Sequence, residues 1–293
     1  MKSKRKGRAN LLYVAILAAA ALLLWGASRL GLLSWGESAA TPLPTGQLRV
    51  AYLDVGQGDC ILLSCNDAYM LIDAGPVSAG ITVTEYLKAS GCEKLTYFVV
   101  THAHEDHCGG ADDVLTAFPV ETLFAPYTEF DQSGAFTYFE DTAAEVGVDI
   151  TMPAVGSVFT LSDATVTFVG PVSQGGDLND GSLVLRVDYG DTSFLFTGDA
   201  SSGALLDDIA AGYDLSCDVL KLSHHGSSDG TSDKLLQYVE PKMAVACVGA
   251  DNRYGHPHEE VLSLLEAYDV RLSRTDTDGT VVLVSDGARI YKY

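Results

Sequence analysis

The histidines of this 293-residue chain constrain it most, because all seven fall at three places: 102/104/107, 224/225 and 256/258. Three of them share a six-residue stretch with Asp106, directly after the apolar run Leu95–Val100. Side chains alternate along an extended segment, so His102 and His104 are expected to point the same way. Where the chain turns into a helix, Asp106 and His107 can present a second set of ligands. Imidazoles and carboxylates together suit zinc, manganese or iron, so the pattern predicts a site for metal ions.

The rest of the chain alternates short apolar strands with a few amphipathic helices, in an order that occurs twice. The first round is predicted to contain strands Leu48–Leu53, Cys60–Ser64 and Tyr69–Ile72, helix Ile81–Ala89 and strand Leu95–Val100. The second is predicted to contain strands Ala164–Val169, Ser182–Tyr189 and Ser193–Phe196, a helix near Gly203–Ala211, strands Val219–Leu222, Met243–Val248 and Val281–Val284, and a helix at His258–Ala267. This order predicts an α/β fold with two mixed sheets packed face to face and helices outside, an αββα sandwich.

The first 33 residues predict a membrane-targeting segment. Residues 2–8 are rich in Lys and Arg, and an apolar run follows from Leu11 to Trp25 and resumes from Leu30 to Leu33. A basic head before an apolar stretch directs a chain to the membrane with its N-terminus in the cytoplasm. Residues 1–33 are therefore predicted to be a signal anchor or a cleaved signal peptide, and the proline-bearing residues 34–46 a linker. Residues 47–293 are expected outside the cytoplasm, anchored at the cell membrane or secreted after cleavage.

The charge of the chain argues against a strong electrostatic grip on nucleic acid. The formal net charge is −21, and residues 1–46 hold six of the 18 Lys and Arg but one of the 39 Asp and Glu. Proteins that grip nucleic acid usually carry a basic footprint, whereas an acidic surface repels polyanions at long range. Bound cations would reverse that field locally, so the composition remains compatible with a phosphate-containing substrate.

The segment His102–His107 resembles the His-x-His-x-Asp-His signature of the metallo-β-lactamase superfamily. Further segments are similar to the hydrolase domain of ComEC-type DNA-uptake proteins and their stand-alone relatives: Leu53–Asp59, Leu71–Gly75, Phe196–Ala200, Leu220–Ser227, Asn252–Pro257 and Arg274–Gly279. These matches follow in order, so the resemblance covers the whole of the predicted domain 47–293. It implies the αββα sandwich and a metal-dependent hydrolase.

The resemblance also implies a set of metal ligands: His102, His104, Asp106, His107, Asp199 and His225. The first two would hold one ion, the next two the other, and Asp199 would bridge both. His224 is the alternative to its neighbour His225 as a ligand, and is otherwise expected to face the substrate. Asp106, Asp199 and His224 are the expected catalytic groups, with a metal-bound hydroxide as the nucleophile. Two divalent ions are expected, zinc before manganese.

One histidine that the superfamily often supplies is missing here. No histidine occurs from residue 108 to 198, and the corresponding stretch reads Asn179-Asp180-Gly181-Ser182. Asn179, Asp180 or water would then complete the affected metal position. One of the two positions is therefore expected to be the weaker.

Seven further polar residues are predicted to lie behind the ligands or beside the substrate: Asp54, Gln57, Asp59, Asp73, Asn179, Ser182 and His256. Ligating imidazoles usually need a hydrogen-bond partner on their second ring nitrogen. A glycine-rich turn is the alternative explanation for Asp54, Gln57 and Asp59. His256 is predicted to hydrogen-bond an anionic substrate, whereas a helix N-terminus accounts for His258.

The leading functional hypothesis is an exported phosphodiesterase or nuclease, with single-stranded DNA among its candidate substrates. Choline-phosphate esters, nucleotides, lipid head groups, lactones and β-lactams are the other candidates. Because one histidine is missing, a different class of protein stays open: a catalytically weak metal-binding accessory protein in competence or at the cell surface. Beyond a substrate and the membrane, the sequence indicates no obligate protein partner.

Overall fold

The computed structural model describes residues 45–126, 134–173 and 177–293. The predicted targeting segment 1–33 and most of the predicted linker 34–46 lie outside the described residues. Among the helices within these ranges, none is both long and apolar enough to cross a bilayer. The predicted hydrolase domain, residues 47–293, is described apart from its two short gaps.

The first of two sheets has eight strands: β1 Leu48–Tyr52, β2 Ile61–Cys65, β3 Ala68–Ile72, β4 Leu95–Val99, β5 Val120–Phe124, β6 Ile150–Thr151, β14 Val281–Ser285 and β15 Ile290–Lys292. Their order across the sheet is β15-β14-β1-β2-β3-β4-β5-β6. The strands from β15 to β3 pair antiparallel, whereas those from β3 to β6 pair parallel. The carboxyl ends of β3 and β4 therefore lie side by side.

The second sheet has seven strands: β7 Val158–Leu161, β8 Ala164–Gly170, β9 Val184–Tyr189, β10 Thr192–Phe196, β11 Val219–Lys221, β12 Met243–Ala246 and β13 Arg271–Arg274. Their order is β13-β12-β11-β10-β9-β8-β7. The strands from β10 to β13 are parallel, and those from β7 to β10 are antiparallel. The carboxyl ends of β10, β11 and β12 consequently share one edge.

Eight α-helices join these strands: α1 Gly80–Ala89, α2 Glu105–Cys108, α3 Ala111–Ala117, α4 Ala135–Val146, α5 Ser202–Ala210, α6 Asp233–Val239, α7 Glu259–Ala267 and α8 Thr275–Asp278 within the described ranges. Two short 3-10 helices, Val77–Ala79 and Ser223–Gly226, complete the set there. Serine hydroxyls cap two of the longer helices, because Ser201 accepts from the amide of Ala204 and Ser232 from that of Leu235.

Three apolar layers show that the sheets face each other with helices outside. The central layer lies between the sheets and contains Val50 of β1 and Phe194 of β10. Neighbouring Ala51 points the other way and packs with Val83 of α1, as the two-residue period of a strand requires. On the far side of the second sheet, Leu220 of β11 packs with residues of α5, α6 and α7. The predicted αββα sandwich is confirmed.

The sheets place the chemistry at one edge, since ligands of open α/β sheets bind beyond the carboxyl ends of parallel strands. Asp73 follows β3, and the histidine-rich segment follows β4. Asp199 follows β10, and His225 follows β11 on the opposite sheet. Four segments that are far apart in sequence therefore meet where the two sheets open.

Candidate metal centre

The turn after β4 is held by a buried carboxylate. Asp73 accepts from the amide and the hydroxyl of Thr101, both at 2.7 Å. Two glycines then allow α2 to pack closely, because a Cβ on Gly109 would overlap the carbonyl of Glu105 and the amide of Val77. The Gly109-Gly110 pair after the histidines is therefore a packing requirement of the site.

Three ligand-type side chains form what we call the anchored half of the site: Asp106, His107 and His225. The Nδ1 of His107 donates to Asp73 at 2.7 Å, and that of His225 donates to the carbonyl of Cys247 at 2.9 Å. Both Nε2 atoms then point to the common centre, where that of His225 lies 3.2 Å from Asp106 Oδ2. Acceptors behind the rings fix the orientation that metal-ligating imidazoles require.

Two histidines on the other side form what we call the paired half: His102 and His104. Their rings are in edge contact, with Nε2 of His102 lying 3.1 Å from Nδ1 of His104. The Nδ1 of His102 meets the hydroxyl of Thr101 at 3.1 Å. Asp199 lies between the halves, with Oδ1 at 3.2 Å from Nε2 of His107 and Oδ2 at 4.0 Å from Nε2 of His102.

The two neighbouring histidines 224 and 225 separate because both adopt left-handed backbone conformations, with φ of 48° and 56°. Such angles are strained for residues with a Cβ and cluster at functional sites. His225 is buried in the centre, with Nε2 at 3.4 Å from Asp199 Oδ2. His224 lies at the rim, where its side chain is 27% exposed and its Nε2 is 3.8 Å from Asp199.

A buried cation behind the centre is a residue that the sequence analysis missed. The ammonium of Lys221 is fully buried, pairs with Asp59, donates to the carbonyl of Gly198 at 2.9 Å and lies 3.6 Å from Asp199 Oδ1. Asp59 in turn lies 3.4 Å from Nδ1 of His225. The signal was a lysine at the end of the apolar strand β11, where a charge is rare unless it is paired.

The buried charges determine which ring nitrogens carry protons. Burial favours the neutral imidazole, but Asp199, Asp106 and Asp59 outweigh it and raise the pKa of His225 to about 9. Asp199 also outweighs burial at His107 and raises its pKa well above the ordinary value. Conversely, the cationic His107 and His225 hold the pKa of Asp199 well below its usual range, despite burial.

His102 differs from these two histidines. Burial and the nearby charge of His107 lower the pKa of His102 well below its ordinary value, so its ring is neutral at pH 7. The two imidazoles of the anchored half are therefore protonated, whereas that of His102 is not.

The stretch that replaces the missing histidine holds Asp199 in place. Ser182 accepts from the amide of Asp199 at 3.1 Å, and Asp180 accepts from that of Ser201 at 3.0 Å. Asn179 is half-buried, and its Oδ1 makes no hydrogen bond within the described residues. Ser182 and Asp180 thus act on the backbone around the carboxylate.

The remaining predicted residues lie in the turn after β1 and at the rim. Asp54 is exposed and accepts from the amide of Gly56 at 3.2 Å. This contact fits the alternative that Asp54 belongs to a glycine-rich turn. Gln57 accepts from the amide of Gly249 at 3.2 Å and so joins two loops of the cleft. His256 lines the cleft beside His224, with ring centroids 5.5 Å apart.

Unsatisfied atoms show that the donor set fits divalent cations. Among the described residues, Nε2 of His107 and Oδ1 of Asp199 are buried without a hydrogen-bond partner, although they lie 3.2 Å apart. Ligand atoms of His102, His107 and Asp199 lie within 4.8 Å of one another, as do those of Asp106, His107 and His225. Buried polar atoms are rarely left unpaired, so groups converging in this way are suited to hold ions.

A cleft of about 810 Å³ opens onto this centre. Asp106, Asp199 and His225 form its floor, and the loop containing Asp251, Arg253 and Tyr254 forms part of its wall. A small substrate or one segment of a polymer can therefore reach the ligands from solvent.

Residues 53–250 match the family described as the metallo-beta-lactamase superfamily. The chain belongs to this superfamily. Members of the superfamily are generally hydrolases, and their fold binds divalent metal ions, often two. The two groups of converging ligand atoms agree with that family property, although His104 belongs to neither of them among the described residues.

The relatives of the chain include competence proteins. It is 31% identical over 259 residues to ComE operon protein 3 of Bacillus subtilis, covering 82% of this chain and 33% of that protein. It is 32% identical over 273 residues to competence protein ComA of Neisseria gonorrhoeae, covering 89% of this chain and 37% of that protein. The chain thus spans about a third of the length of these ComEC-type relatives.

A solved structure supports the fold assignment. The metallo-beta-lactamase fold protein YhfI from Bacillus subtilis superposes with a TM-score of 0.57 at 11% identity, covering 82% of this chain and all of that one. At this identity the likeness concerns the fold alone.

Proposed function

We propose that this protein is a metal-dependent hydrolase that cleaves a phosphodiester. The observation that carries the proposal is the set of buried, preoriented ligand atoms on the floor of an open cleft. Divalent cations held by the two halves would supply Lewis acidity and an activated water. The similarity to competence proteins supports a substrate related to nucleic acid.

The protein's own residues have separable roles in this proposal. Asp199 holds the two halves together and stays ionised, because the neighbouring His107 and His225 keep its pKa well below the usual range. His224 faces the cleft, and the Asp229 carboxylate, 3.3 Å from its Nδ1, raises its pKa above the ordinary value, so it can carry a proton for a leaving oxygen. The acceptors behind His107 and His225 hold these two rings in the orientation that metal binding requires.

Four carboxylates line the cleft, those of Glu105, Asp106, Asp199 and Asp251, so an anionic substrate depends on bound cations and on the few cationic groups of the wall. Arg253 is the one Lys or Arg among the described residues that line the cleft, and His224 is the partly exposed histidine nearest to Asp199. A phosphodiester would gain from both groups, whereas a neutral lactone would gain little. We therefore favour phosphate esters over β-lactams and lactones as substrates.

The proposal is tested with the full chain loaded with zinc or with manganese. We expect hydrolysis of bis(p-nitrophenyl) phosphate and cleavage of single-stranded DNA, and loss of both in Asp199→Ala. Nitrocefin and a homoserine lactone serve as comparison substrates. A folded, metal-loaded protein that hydrolyses none of these would instead fit the second candidate, a metal-binding accessory protein, which the absence of a histidine from 108 to 198 supports.

We further propose that the hydrolase acts outside the cytoplasm. The support is the basic head at residues 2–8 followed by the apolar run Leu11–Trp25. An anchored chain should stay with the membrane fraction and be degraded by protease added to intact cells. Protection from protease in intact cells would contradict export, and release into the medium would favour cleavage of the segment.

A further inference from the structure

The loop from Gly249 to His256 carries exposed side chains to which the proposed hydrolysis gives no role. Tyr254 is 53% exposed, and its neighbour Arg253 is also exposed, yet both line the cleft. Single exposed aromatic residues are common on protein surfaces. The surroundings of the Tyr254 ring, however, indicate a role in binding.

Side-chain hydrogen bonds hold the loop in its conformation. The Asn252 side chain donates to the carbonyls of Gly249 and His256, each at 2.9 Å, and accepts from the amide of His256 at 2.9 Å. His258 lies 3.1 Å from the carbonyl of Tyr254, which fixes the outer part of the loop. A ring held in this way loses little entropy when a partner binds to it.

A row of rings leads from this tyrosine to the metal centre. Tyr254 stacks on His256 with centroids 5.6 Å apart and planes 23° apart, and His256 meets His224 at 5.5 Å. His256 is only 7% exposed, and its Nδ1 has no hydrogen-bond partner within the described parts of the chain. The cleft wall thus holds both an aromatic surface and a buried polar atom that no group of the described residues satisfies.

The charge beside the ring distinguishes between kinds of phosphodiester. The Arg253 guanidinium carbon lies 5.2 Å from the centroid of Tyr254, and its Nη2 donates to the tyrosine hydroxyl at 3.2 Å. A quaternary ammonium such as choline binds to the face of an aromatic ring, but at Tyr254 it would be repelled by the Arg253 guanidinium. A planar base stacks on the tyrosine ring, and its phosphate is attracted by the guanidinium.

We propose that Tyr254, together with Arg253, forms a subsite that stacks a nucleobase next to the scissile phosphate. Tyr254 is then the specificity-determining residue, and the substrate is a base-bearing phosphodiester, not a choline or simple alkyl ester. The inference rests on the proposed phosphodiesterase function, since it assigns the specificity of that reaction. Binding can nevertheless be measured without turnover.

The test compares two strands with the same sugar–phosphate backbone, an oligothymidylate and a fully abasic strand. Binding to the full chain in calcium is followed by fluorescence anisotropy, and cleavage in manganese by gel. We expect the wild type to bind the base-bearing strand about tenfold more tightly, within the range that base–aromatic stacking supplies. This ratio should fall to about one in Tyr254→Ala and persist in Tyr254→Phe.

Two further variants separate stacking from charge and from general surface effects. Tyr238→Ala removes a ring of matched exposure, 52%, that lies outside the cleft and should leave the ratio unchanged. Arg253→Gln should weaken binding of both strands by a similar factor, because a contact to the phosphate does not distinguish a base-bearing from an abasic strand.

The outcomes separate the two proposals. A wild-type binding ratio near one, or a ratio that survives in Tyr254→Ala, overturns the subsite, and so does preferential cleavage of p-nitrophenyl phosphorylcholine. Equal cleavage of both strands overturns the subsite while phosphodiester hydrolysis stands. A tenfold binding preference that depends on Tyr254, without cleavage of any diester, supports the subsite and overturns the hydrolase proposal.

Discussion

The anchored half and the paired half of the centre share Asp199 but hold their imidazoles differently. In the anchored half, each Nδ1 donates to a fixed acceptor, a carboxylate at 2.7 Å for His107 and a carbonyl at 2.9 Å for His225. In the paired half, His102 meets a threonine hydroxyl and its partner histidine, each at 3.1 Å. Rings that are oriented in advance bind an ion at lower entropic cost, so the anchored half should fill first.

Ligand removal should separate the halves most strongly. His225→Ala removes an anchored ligand, and we expect about a 10³-fold loss of kcat/KM together with loss of the tighter metal ion. His104→Ala, in the paired half, should cost about 10- to 100-fold and reduce the content of the weaker ion. Metal content by plasma emission and hydrolysis of bis(p-nitrophenyl) phosphate measure both. Equal losses in the two variants would show that the halves are equivalent.

The cation behind the anchored half should matter for stability. Lys221→Met leaves Asp59 buried without its partner, and we expect a loss of about 3–5 kcal/mol in the free energy of unfolding. Lys242→Met is the matched control, because Lys242 is 76% exposed and pairs with Asp218 at 2.6 Å on the surface. Its cost should stay below about 1 kcal/mol. Urea titration of metal-free protein checks both, and similar costs would contradict the charge argument.

The acceptor behind His107 should affect metal affinity. Asp73→Asn keeps the shape of the side chain but removes the charge that orients the ring, and we expect affinity for the tighter ion to fall about 10- to 100-fold. The exposed Asp67→Asn is the control and should leave affinity unchanged. Competition with a chromogenic chelator gives the constants. An unaltered affinity in Asp73→Asn would remove the basis for distinguishing the halves.

The two halves should also differ in the number of protons that they release when an ion binds. His225, whose pKa is raised to about 9, and His107, whose pKa is raised well above its ordinary value, must each lose a proton when an ion binds. Affinity of the anchored half should therefore rise by up to about a hundredfold per pH unit from 7 to 9. The lowered pKa of His102 leaves that ring neutral, so loading of the paired half should show a shallower dependence. Calorimetry in two buffers of different ionisation enthalpy counts the protons. The same slope for both ions would refute the assignment.

The free energy of unfolding of the metal-free protein should fall as the pH rises, whereas metal affinity should increase. A histidine whose folded pKa exceeds its ordinary value stabilises the fold below pH 6.5 and loses that contribution as the pH rises through about 9. Unfolding of the metal-free protein at pH 6 and 9 therefore provides an independent check of the same charges. His225→Ala should flatten this dependence.

Local pattern predicted most of the secondary structure. The predicted strand Leu95–Val100 corresponds to β4, and the helix near Gly203–Ala211 corresponds to α5, each within one residue at either end. Helices α3, α4 and α6 and strands β5, β7 and β13 were missed. In α4, Phe136, Phe139 and Ala143 recur on one face, but the surface that this face covers is known only from the tertiary structure. The order of the strands across each sheet involves pairings between distant segments, such as Leu48 with Ser285.

The sequence by itself determined that the polar side chains of His102–His107 lie together, because spacing along a strand and a helix fixes the directions of neighbouring side chains. Its motifs carried the resemblance to the superfamily. Only the tertiary structure decided that His225 lies inside and His224 at the rim, through two consecutive left-handed backbone conformations. It also brought Lys221 to Asp59, and Tyr254 to the cleft, across long stretches of chain. Such contacts depend on how two sheets pack, which no local pattern encodes.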